Sequence, residues 1–211
     1  MLYFLIGALA YLLGSFPFGL ILMRLFRQQD IRTQGSGNIG ATNVLRTGGK
    51  GLGAAVFLLD AAKGYLAVLA AFLVAGHLHL SRITAQNLAA VGALAVIIGH
   101  VYTVWLGFKG GKGVATGFGV FLAIALTPAL IGLGTFIVIF AFTRYVSLGS
   151  ILGAFAFALA VLVRGRAAFT PLLLAACVLI PLLVIAKHHA NIRRLLSGTE
   201  YRFGKQKAAA A

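Results

Sequence analysis

Long apolar stretches separated by short polar segments run along almost the whole chain. A helix needs about 20 apolar residues to cross the hydrocarbon core of a membrane, and seven stretches reach or approach that length. They cover residues 2–23, 52–76, 85–106, 112–127, 129–143, 147–163 and 168–188. This pattern predicts an all-α integral membrane protein with seven transmembrane helices, built as one polytopic membrane domain over residues 1–211.

The number of spans depends on residues 114–142, which can form one long helix or two short helices broken near Thr127 and Pro128. Positive charges favour two helices, because lysines and arginines gather in cytoplasmic loops. With seven spans, an outer N-terminus and a cytoplasmic C-terminus, fourteen of the 18 Lys and Arg side chains fall inside and Lys63 falls within a span. The outer segments carry Arg82, Arg164 and Arg166.

The composition excludes an ordinary soluble domain. The chain is 61% hydrophobic and 10% charged, whereas soluble domains carry about a quarter charged residues. A net charge of +15 would suggest nucleic acid as the partner of a soluble protein. Membrane topology explains most of this charge, so we expect no nucleic-acid partner. Cys177 is the only cysteine, which excludes an intrachain disulfide and a cysteine metal cluster, and we expect no metal and no cofactor.

The predicted topology places four polar segments on the same, cytoplasmic side of the membrane. They are residues 24–51, 107–116, 143–150 and 187–207. The outer connections are short and carry no comparable cluster. We therefore expect the four inner segments to form one active site that faces the cytoplasm.

The first of these segments contains the polar sequence GSGNIGATNVLR, from Gly35 to Arg46. Polar backbone is costly in a membrane protein unless it lines a cavity or lies at the water boundary. Glycines let backbone N–H groups approach an anion, and the arginine fork suits phosphate oxygens. The candidate phosphate ligands are Ser36, Gly37, Asn38, Thr42, Asn43 and Arg46. The alternative is a flexible basic loop.

The second segment, GFKGGKGVAT over residues 107–116, resembles a phosphate-binding loop at the start of a helix. It is not a Walker A motif, because glycine and leucine stand where that motif requires other residues. Open backbone, a helix N-terminus and two ammonium groups still favour phosphate. We expect Lys109, Gly111 and Lys112 to bind it, with His100 as a support. The alternative is that the lysines only set topology.

Two further motifs lie within the predicted spans. The sequence GSFPFG, residues 14–19, can open a notch in the first span, although simple helix packing is the favoured interpretation. Asp60 and Lys63 lie one turn apart in the second span, where pairing lowers the cost of two intramembrane charges. The pair can be a structural brace or take part directly in catalysis.

The last two polar segments supply the candidate base. His188 and Asn191 lie one turn apart where the seventh span ends, and Arg144 and Ser150 flank the start of the sixth. An imidazole has an ordinary pKa of about 6.5, so His188 can accept a proton near neutral pH. The alternative is an interfacial histidine without a catalytic role.

Taken in order, the motifs GSFPFG, GSGNIGATNVLR, DAAKG, FKGGKGVAT after GH, RYVSLGS and NIRRLLSGTE closely resemble the PlsY family of bacterial membrane glycerol-3-phosphate acyltransferases. The resemblance runs from Gly14 to Glu200. It implies transfer of a fatty acyl group from acyl phosphate to the 1-hydroxyl of glycerol 3-phosphate. The products are lysophosphatidic acid and inorganic phosphate, and the reaction is the first step of phospholipid biosynthesis in the bacterial inner membrane.

Carried over by position, the resemblance implies Ser36, Arg46, Lys112, Ser150, His188 and Asn191 as the binding and catalytic set, with catalytic roles for Ser36, His188 and Asn191. One departure concerns the tail. The family tends to have an acidic residue directly before the tail asparagine, whereas this chain has Ala190, and His188 is followed by His189.

A mechanism follows from the chemistry of the implied substrates. Acyl phosphate has a good leaving group, so the glycerol hydroxyl can attack it directly without an acyl-enzyme. The proton then passes to His188 or to a phosphate oxygen of the donor. We expect glycerol 3-phosphate, acyl phosphate and membrane lipid as partners. The rival hypotheses are an organophosphate or anion transporter, and a membrane-anchored module that binds anionic lipids or RNA.

Overall fold

The computed structural model describes residues 1–164 and 167–204, and within these ranges it is all-helical with no strand. The α-helices of this part of the chain are α1 Leu2–Ser15, α2 Phe18–Arg27, α3 Ala41–Thr47, α4 Lys50–His77, α5 Arg82–Val101, α6 Val114–Ile124, α7 Leu126–Thr143, α8 Val146–Arg164, α9 Pro171–Ala186 and α10 His189–Leu196. Short 3₁₀ turns cover Ile31–Thr33 and Val104–Leu106. Arg166 and the end of the predicted 187–207 segment lie outside the described residues.

Each predicted apolar stretch coincides with a helix or with a broken helix, which confirms an all-helical integral membrane architecture. Five helical segments are long and apolar enough to cross a membrane, and the pair α9 and α10, bent by 52°, makes a sixth if it counts as one span. Helix α6 is apolar but has only 11 residues. Seven crossings therefore stay a prediction.

The doubtful stretch at residues 114–142 divides into two helices, α6 and α7. The break lies at Ala125, where the backbone is extended (φ −148°, ψ 74°), slightly before Thr127 and Pro128, near which the sequence predicted it. Pro128 instead lies in the first turn of α7. A proline is tolerated there because the first N–H groups of a helix have no intrahelical acceptor.

The first predicted span, residues 2–23, is not one continuous helix but breaks at Phe16 and Pro17 into α1 and α2. A proline removes a helical hydrogen bond and leaves carbonyls without a donor. Side chains from α4 and from the loop after α5 satisfy these carbonyls. The Thr103 hydroxyl donates to the Ser15 carbonyl, and Lys63 Nζ donates to the Phe16 carbonyl over 2.9 Å. The notch is thus held open by specific buried contacts.

Several helices of the bundle pack closely against one another at glycines. A Cβ atom on Gly14 would lie 2.1 Å from the Val96 carbonyl oxygen of α5, so the packing interpretation of the GSFPFG motif agrees with the structure. A Cβ on Gly119 of α6 would lie 1.8 Å from the Ala61 carbonyl oxygen of α4. Because α4 and α6 approach so closely, the loop before α6 has a fixed position relative to α4.

Candidate active site

A cavity of about 240 Å³ lies where α3, α4, α6, α7, α8 and the junction of α9 and α10 meet. Its wall contains most of the predicted site residues: Ser36, Asn38, Thr42, Asn43, Arg46, Asp60, His100, Lys112, Ser150, His188 and Asn191. Gly37, Lys63, Lys109, Gly111 and Arg144 are not part of this wall. Segments far apart in the sequence therefore converge on one site.

The cavity has a polar end and an apolar end. Beyond the polar residues the wall is formed by α6, α7 and α8, with Phe118, Phe136 and Phe157 among its side chains. Phe157 lies seven residues beyond Ser150 on α8, about 10 Å deeper along the helix axis at 1.5 Å per residue. The cavity can thus hold an anionic group and an apolar chain of one molecule.

The loop before α3 is organised by the buried side chain of Asn43. Its Oδ1 accepts a hydrogen bond from the Ser36 backbone N–H at 2.9 Å, and its Nδ2 donates to the carbonyls of Gln34 and Asn38, each at 2.9 Å. The amide that the sequence suggested as a phosphate ligand is therefore occupied within the loop. Its role is to fix the backbone that carries Ser36 and Asn38.

The glycine-rich loop before α6 folds back onto the end of α5. The backbone N–H groups of Gly110 and Gly111 donate to the carbonyls of Val101 and His100, each at 3.0 Å. These donors were expected to be open to phosphate, and that expectation is wrong because the last carbonyls of α5 take them. Lys109 is exposed, whereas Lys112 points to the cavity wall.

Lys112 belongs to a hydrogen-bonded network that the sequence did not reveal. Its Nζ donates to Asn191 Oδ1, and Asn191 Nδ2 donates to Glu200 Oε1 at 2.7 Å. Ser147 Oγ donates to the same carboxylate oxygen at 2.7 Å, and Arg194 Nε donates to Glu200 Oε2 at 2.6 Å. Asn191 thus positions the Lys112 ammonium. Ser147 and Glu200 were missed, although Glu200 is one of only three acidic residues and lies in the tail motif.

The polar end carries more positive than negative charge. Glu200 is the carboxylate beside the cations Arg46, Lys112 and Arg194. Asp60 also lines the cavity, but its charge is balanced by Lys63. Burial raises the pKa of Glu200, but hydrogen bonds from Asn191, Ser147 and Arg194 outweigh it and leave the pKa below its usual value. The group is therefore a carboxylate at neutral pH.

Burial also disfavours the charged forms of the cations. It lowers the pKa of Lys112 to about 8, against the opposing attraction of Glu200, and the nearby Arg194 and Arg46 lower it further. Burial likewise lowers the pKa of Arg46. A cationic cluster that is only partly neutralised would gain stability from an added anion.

His188 lies in the break between α9 and α10, with its side chain buried in the cavity wall. Its Nδ1 lies 2.7 Å from the Val184 carbonyl oxygen. Because a carbonyl oxygen only accepts, Nδ1 carries the hydrogen and Nε2 keeps a free lone pair. His189 is exposed, with Nδ1 3.1 Å from the Ala186 carbonyl oxygen. The arrangement suits His188, not His189, for proton transfer.

A second charge cluster, which is buried, consists of Asp60, Lys63 and His100, and it reaches the cavity wall through Asp60 and His100. Lys63 Nζ lies 2.8 Å from Asp60 Oδ1, and His100 Nδ1 lies 3.7 Å from the same oxygen. Lys63 also holds the broken first span at Phe16. Of the two roles proposed from the sequence for Asp60 and Lys63, these contacts favour the structural brace.

The remaining predicted residues lie at the edge of the site. Arg144 is exposed, and its carbonyl oxygen accepts a hydrogen bond from the Phe203 backbone N–H at 3.0 Å. The Ser150 hydroxyl donates to the Val146 carbonyl at 2.9 Å. Within the described part of the chain, no group of three or more His, Cys, Asp or Glu side chains is placed to hold a metal ion.

The helical fold of this chain is shared with PlsY, an integral membrane acyltransferase of known structure. A crystal structure of PlsY, an integral membrane glycerol 3-phosphate acyltransferase, in its glycerol 3-phosphate form matches with a TM-score of 0.85 and 39% identity over 96% of each chain. The lysophosphatidic acid form matches with a TM-score of 0.82 and 38% identity over 96% of this chain and 95% of that one.

Sequence comparison defines the family. Residues 4–198 match the family model for glycerol-3-phosphate acyltransferase. The glycerol-3-phosphate acyltransferase of Brucella canis is 48% identical over 95% of this chain and 94% of its own, and that of Mesorhizobium japonicum is 46% identical over 92% of each. The chain belongs to the glycerol-3-phosphate acyltransferase (PlsY) family. It is an acyltransferase of phospholipid biosynthesis, which decides against the transporter and the binding-module hypotheses.

Proposed function

We propose that the enzyme transfers a fatty acyl group from acyl phosphate to the 1-hydroxyl of glycerol 3-phosphate and releases lysophosphatidic acid and inorganic phosphate. The observation that carries the proposal is the cavity that joins a cationic end at Arg46 and Lys112 to an apolar end between α6, α7 and α8. An acyl phosphate has the same two parts in one molecule. The lysophosphatidic acid form of PlsY is consistent with this product.

In this proposal both substrate phosphates lie at the polar end. Arg46 and Lys112 supply charge-assisted hydrogen bonds, which are the strongest contacts available to a phosphate group. Ser36, Asn38 and Thr42 add neutral hydrogen bonds from the loop that Asn43 holds in place. Lys109, Gly37 and Gly111 lie outside the cavity wall, so we assign them to the outer approach and to loop geometry.

The proposed reaction is a direct acyl transfer. The glycerol hydroxyl oxygen attacks the carbonyl carbon of acyl phosphate, a new C–O ester bond forms, and the bond from that carbon to the phosphate oxygen breaks. The hydroxyl proton passes to His188 Nε2, and phosphate leaves with both bonding electrons. Ser150 donates its hydroxyl hydrogen to a backbone carbonyl, which does not favour an acyl-serine intermediate. Positioning of two bound substrates supplies much of the acceleration.

We further propose seven crossings of the bacterial inner membrane, with the N-terminus outside and the C-terminus and the site in the cytoplasm. The bias of lysines and arginines toward the inner segments supports this orientation. Cysteine labelling tests it in a Cys177→Ser background. A Thr33→Cys reporter should react only from the cytoplasmic face, and a Ser81→Cys reporter only from outside. Gly37 in the same loop is less suitable for a reporter, because its φ of +70° strains a cysteine.

The donor is tested with purified enzyme in detergent. Acyl phosphate and glycerol 3-phosphate together should yield inorganic phosphate and 1-acyl-glycerol 3-phosphate in equal amounts, with the position of the ester read by NMR. Acyl coenzyme A in place of acyl phosphate is the matched control and should give no product. Turnover with acyl coenzyme A but not with acyl phosphate would overturn the proposed donor.

A further inference from the structure

The residues that follow α10 turn back across the site and form a strap, defined here as residues 199–204. Glu200 anchors its start through the network with Asn191 and Arg194. The Phe203 backbone N–H donates to the Arg144 carbonyl at 3.0 Å, and Arg202 Nε donates to the Thr143 carbonyl at 3.2 Å. The strap is therefore fixed at both ends, to α10 and to the end of α7.

Two aromatic rings of the strap lie against the guanidinium of Arg46. The Arg46 Cζ atom lies 4.0 Å from the centroid of the Tyr201 ring and 5.5 Å from that of Phe203. The two rings pack edge to face, with centroids 5.0 Å apart and an interplanar angle of 89°. Phe203 in turn packs against Phe140 of α7, at 5.9 Å. The Tyr201 ring thus has a fixed position over the arginine.

Arg46 itself is half-buried, and its Nε is buried without an acceptor among residues 1–164 and 167–204. A carboxylate partner would stabilise the cation but would occupy its N–H groups. An aromatic face stabilises the cation through the ring quadrupole and leaves the in-plane N–H donors unoccupied. Stacking is therefore suited to an arginine whose donors are reserved for a ligand.

We propose that Tyr201 is a positioning residue, whose ring holds the Arg46 guanidinium in the orientation that binds a substrate phosphate. This inference rests on the proposed function insofar as Arg46 is a phosphate ligand. Both proposed substrates carry a phosphate that Arg46 could bind, as a phosphate monoester in glycerol 3-phosphate and as an acyl phosphate group in the donor. The strap fixes the plane of the fork before substrate arrives, so less conformational freedom is lost on binding.

Calorimetric binding to the full-length enzyme in detergent tests the proposal. Tyr201→Leu should weaken binding of glycerol 3-phosphate, or of an alkyl phosphate that mimics the donor, by about tenfold, the size expected for a partly desolvated cation–π contact. Tyr201→Phe keeps the ring and should stay within about twofold. Tyr65→Leu on α4 is the matched control, because Tyr65 and Tyr201 are 40% and 42% exposed and Tyr65 lies outside the strap.

A double-mutant cycle separates positioning from a general effect on folding. If Tyr201 acts through Arg46, Tyr201→Leu should have less than about a twofold effect in an Arg46→Lys background, since residues that act as a unit are non-additive. Binding is measured on the folded, monodisperse fraction. Tyr201→Met replaces Tyr201→Leu if the leucine variant yields no such fraction.

The two ligands show which substrate Arg46 binds, and this result does not depend on the acyl-transfer reaction. Weakened glycerol 3-phosphate binding assigns Arg46 to the acceptor, and weakened alkyl phosphate binding assigns it to the donor. Unchanged affinity for both ligands in Tyr201→Leu, or an equal loss in the Arg46→Lys background, would overturn the proposal. Failure of the wild type to turn over acyl phosphate would instead contradict the proposed function and leave the binding result interpretable.

Discussion

Two buried charge clusters lie side by side in this enzyme, and they differ in how their charges are balanced. The cluster of Asp60, Lys63 and His100 pairs one carboxylate with one ammonium at 2.8 Å, and Lys63 also bonds the Phe16 carbonyl. The cluster at the polar end of the cavity has one carboxylate, Glu200, beside three cations. The carboxylate and the ammonium of the first cluster balance each other, whereas the second cluster has more positive than negative charge.

The difference teaches how a membrane protein separates support from binding. A buried charge is costly unless it is paired, so a balanced pair belongs to a structural element. An unbalanced cationic cluster is tolerated where an anion completes it, and phosphorylated substrates are such anions. The family assignment agrees, because the enzyme acts on glycerol 3-phosphate.

The largest expected effect concerns the balanced cluster. Lys63→Met leaves the buried Asp60 carboxylate and the Phe16 carbonyl without the ammonium and should cost about 3–5 kcal/mol of stability. Thermal unfolding in detergent measures this loss. The KM for glycerol 3-phosphate should stay within about twofold in the folded double variant Asp60→Leu, Lys63→Met, which leaves no unpaired carboxylate in the cavity wall. The double variant Asp60→Leu, Lys63→Met should recover part of the stability. Wild-type stability with a raised KM would contradict a structural role.

His188 tests the chemistry carried by the unbalanced cluster. His188→Gln should lower kcat about 100-fold with little change in KM, because it removes the proton acceptor and none of the contacts to the substrate phosphates. His189→Gln is the matched control next in sequence and should stay within about twofold, since His189 is exposed. A loss below tenfold in His188→Gln would assign the proton to a phosphate oxygen of the donor.

The two lysines of the glycine-rich loop, Lys109 and Lys112, distinguish a lysine that binds substrate from one that only contributes to membrane topology. Lys112→Ala should lower kcat/KM for glycerol 3-phosphate about 10- to 100-fold, the value of a lost charge-assisted hydrogen bond. Lys109→Ala removes the same charge from an exposed position and should have an effect of about twofold or less. Equal losses from both substitutions would mean that general charge, and not the site, binds the substrate.

The pH dependence tests the charge of Lys112 without a substitution. The pKa of Lys112 lies at about 8 because of burial, so the ammonium is charged below pH 8 and neutral above it. The value of kcat/KM for glycerol 3-phosphate should therefore be level below pH 8 and fall about tenfold per pH unit above it. Initial rates need correction for spontaneous hydrolysis of the donor. A level profile up to pH 10 would show that the Lys112 charge is not required.

Hydropathy and charge predicted much of this arrangement, because both are local properties of the chain. The apolar stretches, the division at residues 114–142 and the convergence of Ser36, Arg46, Lys112 and His188 are all found in the structure. The motifs carried the family resemblance, which the comparisons confirm.

Tertiary contacts decided what the sequence could not predict. The break at Pro17 needs donors from Lys63 on α4 and from Thr103 in the loop after α5, and the backbone of the glycine-rich loop bonds the end of α5. Glu200 reaches the site only because the strap turns back after α10. No spacing in the sequence reveals such partners.

The most direct test of the central claim is a structure of this enzyme with glycerol 3-phosphate bound. The account predicts a phosphate oxygen within about 3 Å of Lys112 Nζ or of the Arg46 guanidinium, with Lys112 still bonded to Asn191, since an ammonium has three donors. The Asp60–Lys63 pair should remain intact beside it. A phosphate bound at Lys63 and His100, or outside the cavity altogether, would contradict the account.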